Sequence, residues 1–259
     1  MNNLFLYFTP IIAQCNQGQR KEGVKFGGNI LYEKLLFSAF ISPPAVISHE
    51  KFNATGYQDL YQMCSQTNYP LVLGGDHSIG TSTVMGSVGK FGDGVTVIWI
   101  DAHADINTYE KSISKNKHGM PVAMCVGLDK FWWEMENEPK LSFENLIYVG
   151  IRDLDDFEKE VLRENNIKVF SPQQAVDFIN QTSQKIHISF DVDGLDPSQM
   201  DSTGTIASDG LEWSDVRKII EASLLNDKLV ALDVVEFNPE LGNMEKSLGT
   251  MKKIFFGEK

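Results

Sequence analysis

The chain has 259 residues, 42% of them hydrophobic, with 35 acidic against 23 basic side chains and a formal charge of −12. That length supports a sizeable α/β core without staples, and the acidic excess argues against nucleic acid, whose phosphates need clustered Lys and Arg. Three widely spaced cysteines, Cys15, Cys64 and Cys125, form no Cys-x-x-Cys pair and fit buried thiols in a reducing, cytoplasmic setting.

The apolar run from Leu4 to Phe8, continuing toward Ala13, reads as a first buried strand. It lacks the Lys or Arg that opens a signal peptide, and Pro10 interrupts it. Helical patterns follow at 27–40 and 55–67, then a strand at 71–74, a helix at 79–90 and a strand at 95–100. The second half reads strand 146–150, helix 153–165, strand 167–170, helix 172–181, strand 186–190, helix 213–225, strand 229–235 and helix 243–254. Asp153 and Ser171-Pro172 look like helix starts, by capping oxygen and by Pro in the first turn. No stretch approaches the roughly 20 apolar residues of a membrane span. Alternating strands and helices predict a parallel sheet covered on both faces. With no internal repeat or Pro/Gly-rich linker, residues 1–259 are expected to form a single domain.

In such sheets, sites lie beyond the carboxyl ends of strands. Four of the strands end in acidic or imidazole groups: Asp76-His77 after 71–74, Asp101-Ala102-His103-Ala104-Asp105 after 95–100, Asp191-Val192-Asp193 after 186–190, and Glu236 after 229–235. A lone Asp at such a place is ordinarily a turn or cap residue, and Asp76 is given that role. Alternation puts Asp101, His103 and Asp105 on one side of an extended segment, an arrangement poor for a core and good for a cation. Asp101, Asp105, Asp191 and Asp193 with His77 and His103 offer oxygen-rich ligation and no thiolate, which suits manganese above zinc, with iron or cobalt possible. Two divalent ions would balance these four carboxylates and leave room for a bridging hydroxide. Without metal, the carboxylates would raise one another's pKa and take up protons.

These runs, with Ser114-Lys115-Asn116-Lys117-His118-Gly119, Ser189–Pro197 and Glu236–Gly242, resemble the ureohydrolases and the arginases most closely, in order and spacing from Gly74 to Gly242. Gln17-Gly18-Gln19 through Gly23-Val24 and Gly27 resembles a looser version of that family's first loop. The resemblance implies a three-layer α/β/α domain with a mostly parallel, about eight-stranded sheet, one strand more than the seven runs found. It implies one manganese ion on His77, Asp101, Asp105 and Asp191 and a second on Asp101, His103, Asp191 and Asp193, with Asp101 and Asp191 bridging. It also implies cleavage of a guanidinium group to urea and an amine. Glu236 would orient the cation and His118 would protonate the departing amine, with Asp105 counted among the catalytic groups. Outside the resemblance, Glu236 would be a strand-end carboxylate before a turn and His118 a loop histidine.

Asn107, Ser114 and Asn116 match the arginase positions that hold an α-carboxylate. Asp155 and Glu158 match those near the α-amino group, and Thr205 matches a residue at the metal edge. That set favours L-arginine, giving L-ornithine and urea, over agmatine, which has no carboxylate. Lys115 and Lys117 stand where arginases carry Gly and an apolar residue, and Asp209 stands where they carry Gly. The family's C-terminal trimer segment is largely missing after Gly257, so a homo-oligomer is possible without that contact. The alternatives are an agmatinase or guanidinobutyrase on the same scaffold, and a metal-binding paralogue without catalysis. A deacetylase of related fold would not need Asp101 and Asp191 as a bridging pair, or Glu236.

Overall fold

In a computed structural model, residues 8–40, 43–133 and 139–257 are described. All eight strands join one parallel sheet: β1 (Thr9–Ala13), β2 (Ala45–Ile47), β3 (Pro70–Leu73), β4 (Val95–Ile100), β5 (Leu146–Val149), β6 (Lys168–Phe170), β7 (Lys185–Asp191) and β8 (Leu229–Val235). Their order across the sheet is β2-β1-β3-β8-β7-β4-β5-β6. The four strands expected to end in ligand-type residues are therefore the four adjacent central ones. Leu73, Val234, Phe190 and Ile100 lie in register across them, so the segments that follow leave the sheet at one level.

The helices are α1 (Gly27–Leu31), α2 (His49–Phe52), α3 (Gly56–Gln66), α4 (Gly80–Phe91), α5 (Pro121–Val126), α6 (Asp156–Glu164), α7 (Pro172–Gln181), α8 (Trp213–Leu225) and α9 (Met244–Phe256). Period-2 alternation sorts the strands' side chains between two cores. Ile98 and Ile100 pack with Leu31, Ile179, Ile219 and Met251 on one face. Val97 and Trp99 pack with Leu60, Val84, Met85 and Val122 on the other. The result is the three-layer arrangement of a sheet covered on both sides.

Four sequence expectations need correction. The first strand runs over Thr9–Ala13 rather than 4–8; residues 4–7 lie outside the described residues, and Phe8 is not in a strand. Pro10 is tolerated because the partnership with β2 begins only at Ile11, opposite Ala45. The eighth strand is β2, three residues of which two are exposed, too short and too open for an apolar run to mark. The helix expected from Asp153 starts instead after Asp155, whose side chain accepts from Glu158 N in a reciprocal capping box. The helix expected over 27–40 is α1 continued through a π turn at Tyr32–Leu36 and a 3₁₀ turn at Phe37–Ala39. Among the described residues, no helix is long and apolar enough to cross a membrane.

Candidate metal centre and active site

β4 ends at Ile100, and the chain then bends at Asp101, Ala102 and His103 before reaching Asp105, so the side chains converge without the extended run expected from the sequence. Asp105 takes a left-handed backbone (φ 51°), as does Glu236 at the end of β8 (φ 64°). Non-glycine residues accept such geometry where the surroundings impose it, commonly at functional sites. Val122 N donates to Asp105 O, and the Tyr148 hydroxyl donates to Ala104 O, which fixes the segment from both sides.

The ligand-type groups converge. His77 Nδ1 lies 3.1 Å from Asp101 Oδ2, 3.1 Å from Asp105 Oδ2 and 3.2 Å from Asp191 Oδ2. His103 Nδ1 lies 3.3 Å from both Asp101 Oδ1 and Asp193 Oδ2. Two sets of ligand atoms are each mutually within 4.8 Å, His77–Asp101–Asp191 and Asp101–His103–Asp193, and they share Asp101. All six sequence-selected residues are thus brought to one place. Asp76 is not among them; it caps the turn at His77–Ile79 and accepts from Ser78 N and Gly18 N, the structural role expected of it.

The electrostatics point to positive charge. Burial, then repulsion from Asp193 and Asp101, raises the Asp191 carboxyl well above its usual range. Burial and the Asp101 charge likewise lift Asp105 to about 6. Burial alone would lower His77, yet the three carboxylates around it hold its imidazole well above the usual value. Its Nδ1 is buried and finds no hydrogen-bond partner despite the surrounding oxygens. A buried nitrogen lone pair facing three carboxylates fits divalent cations and has no use in a hydrogen-bonded core.

The imidazole is aimed from behind. His77 Nε2 lies 3.0 Å from Ser189 Oγ, and its ring stacks on Trp99 at 4.0 Å and 8°. Trp99 Nε1 donates to Asp101 Oδ2. Trp99, sited mid-strand, lies in no motif, and Ser189 opens the run Ser189–Pro197 without being marked as a partner of His77. Asp153, read as a cap, instead turns its carboxylate toward His103 Nε2 at 3.7 Å.

Glu236 is fully buried. Its Oε1 accepts from His77 N at 2.9 Å and lies 3.2 Å from His118 Nδ1, while Oε2 accepts from Gln19 Nε2. Burial opposes ionisation, but His118 outweighs it and holds Glu236 below its usual value. Glu236 in turn raises His118 to about 9 against the pull of burial. Gln19 was missed by sequence reasoning; only its place in the looser first loop hinted at it.

An open pocket lies above this cluster, lined by Asn107, Ser114, Asn116, His118, Asp155, Glu158 and Thr205 together with His103, Asp105, Asp191 and Asp193. Every residue matched to substrate binding therefore borders one cavity. Glu236 does not line it and sits behind His118. Asn107 Nδ2 donates to Asp155 Oδ2, and Thr205 Oγ1 donates to Asp193 Oδ2 at 2.6 Å. Burial, with Asp105 and Asp155 nearby, raises Glu158 to about 7. Lys115 and Lys117, although neighbours of these residues, stay out of the pocket. Lys115 and Asp209 both have left-handed backbones (φ 58° and 60°), geometry that favours the glycine the resemblance implies at those places.

Arg152, also unremarked in the sequence, ties the rim together. Its guanidinium donates to six carbonyls, those of Gly150, Asp193, Gly194, Leu195, Ala207 and Ser208. Arg152→Ala is expected to cost on the order of 3 kcal/mol, lowering Tm by about 5–10 °C. Lysine lacks the planar fork and should restore only part of it. An unchanged melting temperature in Arg152→Ala would show the carbonyls to be held by other means.

A parallel sheet whose central strands deliver a carboxylate–imidazole cluster to one rim is the ureohydrolase arrangement that the motifs anticipate. The chain belongs to the arginase family, whose sequence profile matches residues 14–256. An arginase of Glaciozyma antarctica is 39% identical over 204 residues, 71% of this chain and 58% of that protein. One of Neurospora crassa is 43% identical over 192 residues, 66% of this chain and 53% of that protein. The chain thus spans somewhat over half the length of these curated relatives. The crystal structure of Entamoeba histolytica arginase in complex with L-ornithine superposes with a TM-score of 0.84 at 27% identity, covering 97% of this chain and 98% of that one.

Proposed function

We propose that the chain hydrolyses the guanidinium group of L-arginine to L-ornithine and urea, using two manganese ions. The observation that carries this reading is the pair of buried ligand sets sharing Asp101 beneath an open pocket. One ion would be held by His77, Asp101, Asp105 and Asp191, and the other by Asp101, His103, Asp191 and Asp193. Bound there, such ions lower the pKa of water toward neutrality and so supply a nucleophile strong enough for a resonance-stabilised guanidinium.

The chain's own residues do the rest. Glu236 offers a buried carboxylate to the substrate cation, and one of its present donors, Gln19 Nε2 or His118, has to yield for the guanidinium to reach it. His118, raised to about 9, is protonated at neutral pH and donates to the departing amine. Asn107, Ser114 and Asn116 on one wall give neutral hydrogen bonds to a carboxylate, while Asp155 and Glu158 face an α-amino group. The arginase of Entamoeba histolytica, complexed with L-ornithine, supports a product of that shape. Buried free thiols at Cys15, Cys64 and Cys125 are consistent with a cytoplasmic enzyme.

The test is urea release from L-arginine and from agmatine after manganese loading. Arginine is expected to be turned over and agmatine only slowly. Agmatine hydrolysis far above arginine hydrolysis would move the chain to another guanidino substrate. Bound metal without urea from any guanidino compound would make it a non-catalytic relative.

A further inference from the structure

Most of one pocket wall is the segment from Asn107 to Gly119, which forms no strand and no α-helix. Its two ends are joined by Asn107 N donating to Gly119 O at 3.2 Å. Ser112 and Ile113 line the pocket together, and the side chains alternate only from Ser114 to His118. Ser114, Asn116 and His118 face the pocket, whereas Lys115 and Lys117 do not line it.

The outward side rests on aromatic rings. Tyr109 stacks on Phe131 with centroids 3.7 Å apart at 15°, Phe131 meets Trp132 edge-on at 6.4 Å, and Trp132 lies 6.5 Å from Tyr57 of α3. Lys117 Nζ stands 5.6 Å from the Trp132 ring centre and 5.9 Å from that of Tyr57. Lys115 Nζ stands 5.0 Å from the Tyr109 ring centre and donates to Tyr109 O at 2.5 Å and Glu110 O at 3.1 Å. Asp129 Oδ2 accepts from Tyr109 N on the same side.

We propose that Lys115 and Lys117 are positioning residues for substrate recognition: Lys115 closes the 107–119 segment on its own Tyr109 and Glu110, the Tyr109 ring stacks on Phe131, and Lys117 ties the segment's outer face to the Tyr57 and Trp132 rings. This rests on the reading that the inner face of the same segment meets the substrate. Between Ser114 and His118 the two lysines hold the residues that turn away from the pocket, and by doing so hold Ser114, Asn116 and His118 toward it. Lys115 holds a left-handed backbone that would cost strain in a free loop, and its ammonium recovers that cost by closing on two carbonyls and a ring.

The test uses Lys115→Met and Lys117→Met, which keep the stem and remove the charge, with Lys115→Arg and Lys117→Arg as conservative rescues. Hydrogen exchange of the 108–118 segment is measured on the manganese-loaded protein, alongside steady-state kinetics with L-arginine. Each Met variant should exchange faster there, by about 5-fold or more in the double variant, and KM should rise about 3- to 10-fold while kcat stays within about 2-fold. The Arg variants should restore both. Unchanged exchange in the double Met variant, or a fall in kcat at constant KM, would overturn the clamp. Wild-type protein that cleaves no guanidino compound would sink the hydrolase reading instead, and the exchange measurement would still decide whether the clamp exists.

Discussion

Asp191→Asn is expected to abolish urea release while leaving the metal-free protein as stable as before or more so. The two halves come from one geometry. Asp191 Oδ2 faces His77 Nδ1, Asp191 Oδ1 accepts from Asp193 N, and burial with Asp193 and Asp101 nearby raises its pKa well above the usual value. A carboxyl raised on folding opposes folding at any pH above its unfolded value, about 3.9, because the folded state must either bind a proton or bear buried repulsion. Asparagine keeps the shape and the bond from Asp193 N and removes that charge. With cation present the sign is expected to reverse, since the proposed shared ligand is lost. Replacing partners one layer out from a metal ligand costs about 10- to 100-fold, so loss of Asp191 should exceed about 100-fold in activity. Two measurements check this: metal per chain after dialysis, and Tm with and without manganese. Wild-type Tm should climb on manganese addition and the variant's should climb far less. Equal metal content and equal manganese-induced rises would remove Asp191 from the centre.

The groups that sequence alone marked are those whose neighbours along the chain share their task. Asp101, His103 and Asp105 alternate within five residues of one segment, and Asp191 and Asp193 within three, so the pattern shows before any folding. The pairing of β3, β8, β7 and β4 then joins motifs that are far apart in the chain. Gln19, Trp99 and Arg152 were opaque for the opposite reason. Gln19 meets Glu236 across 217 positions, and Arg152 reaches five of its six carbonyls 41 to 56 positions away, so neighbours along the chain do not show the task of either. Main-chain carbonyls carry no residue identity, so an arginine that serves them leaves no motif. The Asp153 error has a physical source too. Asp153 and Asp155 are equally good caps by residue type, and what separates them is His103, which faces Asp153, and Glu158, which completes the box with Asp155. β2 was lost because an exposed three-residue edge strand has little apolar burial to imprint on its sequence.

Glu236→Gln is the second substitution with a large expected effect, and it separates charge from shape. Glutamine can still occupy the buried site between Gln19, His77 N and His118, but it offers no negative charge to a guanidinium. Removing the charge from a buried ionic pair costs about 2–5 kcal/mol, so kcat/KM for L-arginine should fall by about 10²- to 10³-fold with manganese content unchanged. The metal-free protein gives an independent readout. His118 is raised from 6.5 to about 9 by Glu236 against the opposing effect of burial, so its contribution is complete below 6.5 and fades as pH rises through about 9. Glu236, held below 4.5, contributes above 4.5 and loses that contribution as pH falls through its lowered value. The pair is therefore strongest between about 4.5 and 6.5, and the alkaline loss is on the order of 3 kcal/mol. The difference in unfolding free energy between wild type and Glu236→Gln should accordingly shrink from pH 6.5 to 9. A difference that stays flat across that interval would mean that Glu236 does not hold the His118 proton, and the amine-protonating role assigned to His118 would lose its physical basis.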